Sequence, residues 1–212
     1  MSMGVPDSLK ARRPTLTEIL RARFGDVLNP AGAWLNRLGL APNTFTLIGL
    51  AGTAVAAYAL ARGFLMVGGA LVLAMSLVDA LDGPMARMRG TFSPFGAFVD
   101  SVSDRYSELI VYGGLAVYYL SRENDIMLLW VFAAAAGSVL VSYVKARAEA
   151  LGFEAGVGAL TRMERILVLG PSLVFGVAEV GIPLVAVLGH VTALQRILFV
   201  RQQSRVSKGP VR

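Results

Sequence analysis

Long apolar stretches follow one another along most of this chain and limit how it can fold. A helix needs about 20 mostly apolar residues to cross the hydrocarbon core of a bilayer, and six stretches approach that length. They are residues 43–61, 64–86, 95–120, 126–147, 165–180 and 182–200. Hydrophobic residues make up 55% of the chain and charged residues only 16%, whereas soluble domains carry about 25% charged residues. We therefore predict an all-α integral membrane protein with six transmembrane helices.

The sequence before and after these stretches predicts two flanking regions. Residues 15–38 place Leu16, Ile19 and Leu20 among charged residues at helical spacing. This pattern is typical of an amphipathic helix on a membrane surface, although a small soluble cap would also fit it. The predicted organisation is an N-terminal segment with this interfacial helix at 1–40, a transmembrane catalytic domain at 41–201 and a disordered basic tail at 202–212. The N-terminus lacks the apolar core of a signal peptide, so we expect insertion through the internal spans.

Positive charge is distributed asymmetrically between the predicted loops. Seventeen of the 20 Lys and Arg residues fall on one side if the N-terminus is cytoplasmic. By the positive-inside rule, we expect a multi-pass protein of the plasma membrane with both termini and the active site in the cytoplasm. The net charge of +6 does not suggest nucleic acid, because the basic residues form no stripe with interleaved aromatic residues. The absence of cysteine excludes disulfides and thiolate metal sites.

Acidic residues interrupt the second and third stretches, where the surrounding sequence is apolar. Asp79 and Asp82 are three residues apart, and Asp100 and Asp104 are four apart, so each pair projects from one helix face. A carboxylate deep in a bilayer costs about 2.5 to 3.5 kcal/mol on insertion scales. The short connection "MRGTFSPFG" turns the chain back, so the two acidic faces can meet.

Four converging carboxylates would repel one another unless they shared metal ions. A ligand set of oxygen atoms without His or Cys favours a hard cation, Mg²⁺ first, with Mn²⁺ or Ca²⁺ as alternatives. Four carboxylates roughly balance two divalent ions, and a pair of ions suits phosphoryl chemistry. Gly83 and Gly96 allow close approach of the backbone to a ligand, and Arg87 is placed to bind a phosphate.

The segment "DALDGPMARMRGTFSPFGAFVDSVSD" fits the pattern D-x2-D-G-x2-A-R-x8-G-x3-D-x3-D from Asp79 to Asp104. This pattern resembles the signature of the CDP-alcohol phosphotransferase family. The resemblance implies a transferase that joins a CDP-linked lipid to a hydroxylated acceptor and releases CMP.

The family resemblance also implies roles for individual residues. Asp79, Asp82, Asp100 and Asp104 would hold two metal ions, with Asp79 and Asp100 touching both. Asp104 would also be the catalytic base for the acceptor hydroxyl. The CDP-lipid site would be formed by Asn43, Thr44, Phe45, Thr46, Gly83, Ala86, Arg87, Ser93 and Gly96.

A second basic group on the cytoplasmic side suggests a phosphorylated acceptor. Its members resemble those of the phosphatidylinositol phosphate synthase branch of the family, which implies that Lys145, Arg162, Arg165 and Arg196 bind the phosphate of inositol phosphate. CDP-diacylglycerol would be the donor. A phosphatidylglycerophosphate synthase using glycerol 3-phosphate, or an archaeal-type synthase acting on an ether lipid, would have similar requirements.

Two functions from other classes stay open at this stage. A cation transporter would also bury carboxylates, but its polar residues should extend through the full membrane depth. A basic membrane scaffold would tolerate Asp104→Asn. The resemblance and the small-residue runs "AAAAGS" and "VGGALVLA", which allow close helix packing, suggest a homodimer.

Overall fold

The backbone of residues 42–88, 94–158 and 160–206 is described by a computed structural model. Side chains are described in these ranges except at 42–46, 79–88 and 206. The helices are α1 (Pro42–Ala61), α2 (Leu65–Met88), α3 (Pro94–Leu120), α4 (Asp125–Ala150), α5 (Arg162–Val174) and α6 (Ala178–Val206). The described ranges contain no strand, and the predicted all-α fold is confirmed. The predicted interfacial helix and most of the predicted tail lie outside the described residues.

Two of these helices are long and apolar enough to cross a membrane by length and composition. They are the segments Asp125–Ala150 and Ala178–Arg205, and shorter apolar segments occur at Leu47–Ala61 and Leu65–Val78, all among the described residues. Every described helix also exposes large apolar side chains. Examples are Tyr58, Met66, Phe98, Phe132, Leu167 and Leu194. The remaining spans of the predicted six stay a prediction.

Two predicted boundaries are wrong, and local contacts explain both. The stretch expected at 165–180 ends as a helix at Val174, because Gly176 adopts a left-handed φ of 72°. Val177 N donates to Ser172 O and Gly176 N to Leu173 O, which is the Schellman arrangement that terminates helices. At the other end, residues 202–206 belong to α6 rather than to a disordered tail. The Gln203 side chain anchors this helix end through the backbone of Glu154.

Packing among the described residues arranges the helices in a ring. Each helix packs against two others, in the order α1, α2, α5, α6, α4, α3 and back to α1. In this order α3 and α5 stand opposite each other. The largest fully buried side chains include Leu60, Leu115, Leu173 and Ile182. All four lie towards the end of the bundle where α1, α3 and α5 finish and α6 begins.

Close packing of α1 against α3 depends on a glycine. Gly114 is buried, and a Cβ atom built on it would lie 2.9 Å from the Ala57 carbonyl carbon. The obstacle is backbone, so a side chain could be accommodated only by moving the two helices apart. The preceding residue, Gly113, is exposed and a Cβ there would meet nothing within 4 Å.

We predict that Gly114→Ala destabilises the fold whereas Gly113→Ala does not. Overpacking at Gly114 should cost about 1–3 kcal/mol. At Gly113, the higher helix propensity of alanine should be neutral or stabilising by up to about 1 kcal/mol. Thermal unfolding in detergent, followed by circular dichroism, would measure both. Equal stability of the two variants would contradict the close contact between α1 and α3.

Candidate functional site

Three acidic residues at four-residue intervals line one face of α3. Asp100, Asp104 and Glu108 belong to consecutive turns of this helix. Asp100 is exposed, the side chain of Asp104 is 15% exposed and that of Glu108 is 9% exposed. The face therefore runs from the surface into the interior of the bundle.

Asp104 lies between two arginines. Arg162 Nη1 is 2.6 Å from Asp104 Oδ1, and Arg105 Nη1 is 3.3 Å from Asp104 Oδ2. Arg105 also donates to Ser101 O on its own helix and to Ser142 Oγ on α4. Arg162 is the first residue of α5, so this carboxylate connects the start of α5 to α3.

Glu108 forms a second ion pair with α5, one turn deeper. Arg165 Nε and Nη2 donate to Glu108 Oε1 at 3.1 and 2.6 Å, and Arg165 Nη1 donates to Leu160 O at 3.2 Å. The Arg165 side chain is only 2% exposed. A charge this deeply buried is tolerated because it is paired and hydrogen bonded.

The start of α5 favours this arrangement. Thr161 precedes the helix and Glu164 follows three residues later, which is the spacing of a capping box. The Thr161 hydroxyl contacts the Glu164 carboxylate. A helix that begins here places Arg162 and Arg165 in its first turn, three residues apart and on one side.

A partly open cleft lies between the opposed helices α3 and α5. The lining residues are Gly49, Thr53, Val72, Met75, Ser76, Ser107, Glu108, Val111, Tyr112, Arg162, Arg165, Ile166 and Leu169. They come from α1, α2, α3 and α5. Both arginines of the two ion pairs line it, so their side chains connect two helices that are not neighbours in the ring.

Side chains of α6 hold the connection between α4 and α5. Thr192 Oγ1 accepts from Leu160 N. Arg196 Nε and Nη1 donate to Val157 O at 2.9 Å and Val141 O at 2.6 Å. Gln203 exchanges two hydrogen bonds with the backbone of Glu154. These contacts fix the backbone that precedes Arg162 and Arg165.

The basic residues predicted from the sequence occupy different environments. Arg162 and Arg165 belong to the first turn of α5 and pair with α3, whereas Arg196 binds the backbone before that helix at Val157. Arg196 is buried, and its carbonyl contacts hold α4 and the connection before α5. Lys145 is 46% exposed and pairs with Glu149 at 3.7 Å on α4. It lies one turn beyond Val141, the residue whose carbonyl Arg196 binds.

The predicted metal and CDP-lipid residues are only partly covered by the description. Asp79, Asp82, Gly83, Ala86 and Arg87 lie in the last turns of α2 and Gly96 in the first turn of α3. Asn43 to Thr46 lie in the first turn of α1. The side chains at these positions of α1 and α2, and all of Ser93, lie outside the described residues. Among the described side chains alone, no group of three or more His, Cys, Asp or Glu could hold a metal ion.

No role for Glu108 was predicted from the sequence, whereas in the structure this residue lines the cleft and pairs with Arg165. Its partner Arg165 is 57 residues away in the chain. A signal was present, because Glu108 continues the four-residue spacing of Asp100 and Asp104. That spacing does not indicate that Arg165 is the partner of Glu108.

Comparison with known proteins identifies the group to which this site belongs. A model of the CDP-alcohol phosphatidyltransferase family matches residues 39–200. The chain is 35% identical to the phosphatidylinositol phosphate synthase of Streptomyces avermitilis, over 95% of this chain and 92% of that protein. It is 34% identical to the archaetidylinositol phosphate synthase of Pyrococcus horikoshii, over 84% of this chain and 93% of that protein.

The fold is also similar to a solved structure. The crystal structure of Mycobacterium tuberculosis phosphatidylinositol phosphate synthase with CDP-DAG bound matches with a TM-score of 0.75 and 30% identity, over 82% of this chain and 94% of that one. The same enzyme in complex with manganese and citrate matches with a TM-score of 0.76. The family predicted from the acidic motif is thus confirmed: this chain belongs to the CDP-alcohol phosphatidyltransferase family.

Proposed function

We propose that this protein is a phosphatidylinositol phosphate synthase. It transfers the phosphatidyl group of CDP-diacylglycerol to a hydroxyl of inositol phosphate and releases CMP. The observation that carries this proposal is the acidic face of α3 beside the basic first turn of α5, in a chain that is 35% identical to such a synthase over 95% of its length. A phosphorylated acceptor requires cationic side chains next to the reacting carboxylates.

Two divalent ions, Mg²⁺ first, are proposed to bind at Asp79, Asp82, Asp100 and Asp104. The donor set fits a hard cation, because it consists of carboxylate oxygens on the adjoining ends of α2 and α3. The relative from M. tuberculosis has been crystallised with manganese. When bound, the ions neutralise diphosphate oxygens and the charge on departing CMP.

The residues of this chain then have separable tasks. Asp104 takes the proton of the acceptor hydroxyl as its oxygen attacks the phosphorus on the lipid side of the diphosphate. The bond from that phosphorus to the bridging oxygen breaks, and CMP leaves. Arg162, beside Asp104, keeps a positive charge where a phosphorylated acceptor approaches. The positions Asn43 to Thr46, Gly83, Ala86, Arg87, Ser93 and Gly96 are proposed to bind the CDP part of the donor.

Lys145, Arg162, Arg165 and Arg196 are proposed to hold the acceptor phosphate. The exposed fraction of the side chain is 46% for Lys145, 25% for Arg162 and 2% for Arg165. Arg165 uses Nε and both Nη atoms within the protein, so two of its five N–H groups remain for a ligand. Arg196 is also buried and binds two backbone carbonyls. In this proposal Arg165 and Arg196 contribute mainly positive charge, whereas Lys145 and Arg162 make most of the direct contacts with the phosphate.

The proposed location is the plasma membrane, with six spans and an N-terminal interfacial helix. The apolar side chains exposed on every described helix support contact with lipid. The bundle end that carries Lys145, Arg162 and Arg165 would face the cytoplasm by the positive-inside rule. A homodimer is part of the proposal.

The reaction is tested with purified protein, CDP-diacylglycerol and Mg²⁺, by following CMP release. We expect release with inositol phosphate, and a rate at least about a hundredfold lower in Asp104→Asn, since the variant lacks the base. Glycerol 3-phosphate is the informative alternative acceptor. Product with glycerol 3-phosphate alone would refute the acceptor and retain the reaction class, and an ether-linked donor would test the archaeal-type alternative.

The metal site is tested by direct binding of Mn²⁺, measured by electron paramagnetic resonance without substrates. Asp79→Asn should weaken binding by at least about tenfold, because it removes a charged ligand. Asp125→Asn is the matched control, since Asp125 is exposed at the start of α4, at the other end of the bundle. Unchanged Mn²⁺ binding in Asp79→Asn would refute the proposed ligand set, and chelator should abolish CMP release by the unmodified protein.

The acceptor site is tested at Lys145 with a control two residues away. Lys145→Gln should raise the KM for inositol phosphate by about tenfold or more, the effect of one hydrogen bond to a charged group. The KM for CDP-diacylglycerol should stay unchanged. Arg147→Gln removes the same charge from an exposed position of α4 and should change neither value. Equal effects of the two variants would mean that Lys145 acts only through general electrostatics.

A further inference from the structure

One oxygen of the buried Glu108 carboxylate accepts no hydrogen bond from the described residues. Both contacts from Arg165 go to Oε1, and Oε2 is buried without a hydrogen-bond partner among the described residues. A buried acceptor without a donor costs free energy, more so when it is charged. Such a group calls for a donor, and a ligand that enters the cleft can supply one.

Two hydroxyl groups of the cleft already donate elsewhere. The Thr53 hydroxyl donates to Gly49 O and the Ser76 hydroxyl to Val72 O, both at 2.8 Å within their own helices. Tyr112 OH is 3.1 Å from Ser138 Oγ. Thr53, Ser76 and Tyr112 line the same cleft as Glu108, and none of these three hydrogen bonds involves Glu108.

The ion pair determines which kind of donor suits Glu108 Oε2. Arg165 neutralises the Glu108 charge at 2.6 Å, so a second cation would leave a net positive charge in a buried site. A neutral hydroxyl donates a proton without adding charge. A hydroxyl group therefore fits this position better than an ammonium group or a metal ion.

The position of Glu108 relative to Asp104 identifies which substrate carries that hydroxyl. The two residues are four apart on α3, and residues so spaced have Cβ atoms about 5–6 Å apart on one helix face. An acceptor with one hydroxyl at Asp104 can present another to Glu108 if both are held on one small rigid frame. A ring polyol is such a frame.

We propose that Glu108 is a specificity-determining residue that accepts a hydrogen bond from a non-reacting hydroxyl of the polyol acceptor. Glu108 lines the cleft, and Arg165 holds its carboxylate through Oε1, which leaves Oε2 for this contact. This inference rests on the proposed synthase function and goes beyond it, because it assigns a residue that reads the ring of the acceptor rather than its phosphate.

The test compares inositol phosphate with analogues that lack one ring hydroxyl each, using kcat/KM from CMP release. In the unmodified protein, one analogue besides the one lacking the attacking hydroxyl should lose roughly tenfold or more, the effect of a hydrogen bond to a charged group. In Glu108→Gln this penalty should shrink by about threefold or more, because a neutral amide oxygen forms a weaker hydrogen bond than a carboxylate. Tyr112→Phe removes a hydroxyl from the same cleft and should keep the selectivity of the unmodified protein.

Two outcomes would overturn the inference. The first is an unmodified protein that uses every non-reacting deoxy analogue within twofold of the parent, a result that does not depend on whether a variant folds. The second is a penalty of the same size in Glu108→Gln and the unmodified protein, which would make Glu108 purely structural. No CMP release with any inositol phosphate would instead refute the proposed function.

Discussion

Two ion pairs across the interior, Arg162 with Asp104 and Arg165 with Glu108, are the interaction on which this architecture depends. They connect α3 and α5, which stand opposite in the ring. Both arginines lie in the first turn of α5, where the helix dipole disfavours cations. Removing one partner of a buried pair typically costs about 3–5 kcal/mol, because the other charge stays buried. An apolar bundle can therefore carry these arginines only because α3 presents two carboxylates one turn apart.

The contacts around α6 follow from the same requirement. An arginine can meet a specific carboxylate only if the backbone before it is fixed, and the connection from α4 to α5 has no helix of its own between Leu151 and Thr161. Thr192, Arg196 and Gln203 bind that connection at Leu160, Val157 and Glu154. Arg196 thus uses a charged side chain to satisfy two carbonyl groups, and it helps to fix the backbone that precedes Arg162 and Arg165.

Features that depend on local sequence patterns were predicted better than contacts between residues far apart in the chain. The apolar stretches predicted the helices to within a few residues, except where the Gly176 turn ended α5 early and where α6 continued to Val206. The spacing of Asp100 and Asp104 gave the acidic face of α3. The partners of Glu108 and Arg196 lie 57 and 39 residues away, and no periodicity encodes which carboxylate or carbonyl an arginine will reach. The anchoring role of Gln203 was not predicted, because the polar sequence around it does not indicate that its side chain binds the backbone of Glu154.

The acidic face of α3 presents carboxylates at different depths in the bundle. Exposure falls from Asp100 through Asp104 to Glu108, and the electrostatic effect of a neighbouring cation rises as water is excluded. Near the surface, a carboxylate can change its partner between water, a metal ion and an arginine with little loss of free energy, and a group that takes part in a reaction needs this freedom. In the interior, a paired carboxylate is held rigidly and any missing hydrogen bond is expensive. Under the proposed function, the same spacing would bind metal near the surface and read the acceptor further in, so that a single helix face would serve both substrates.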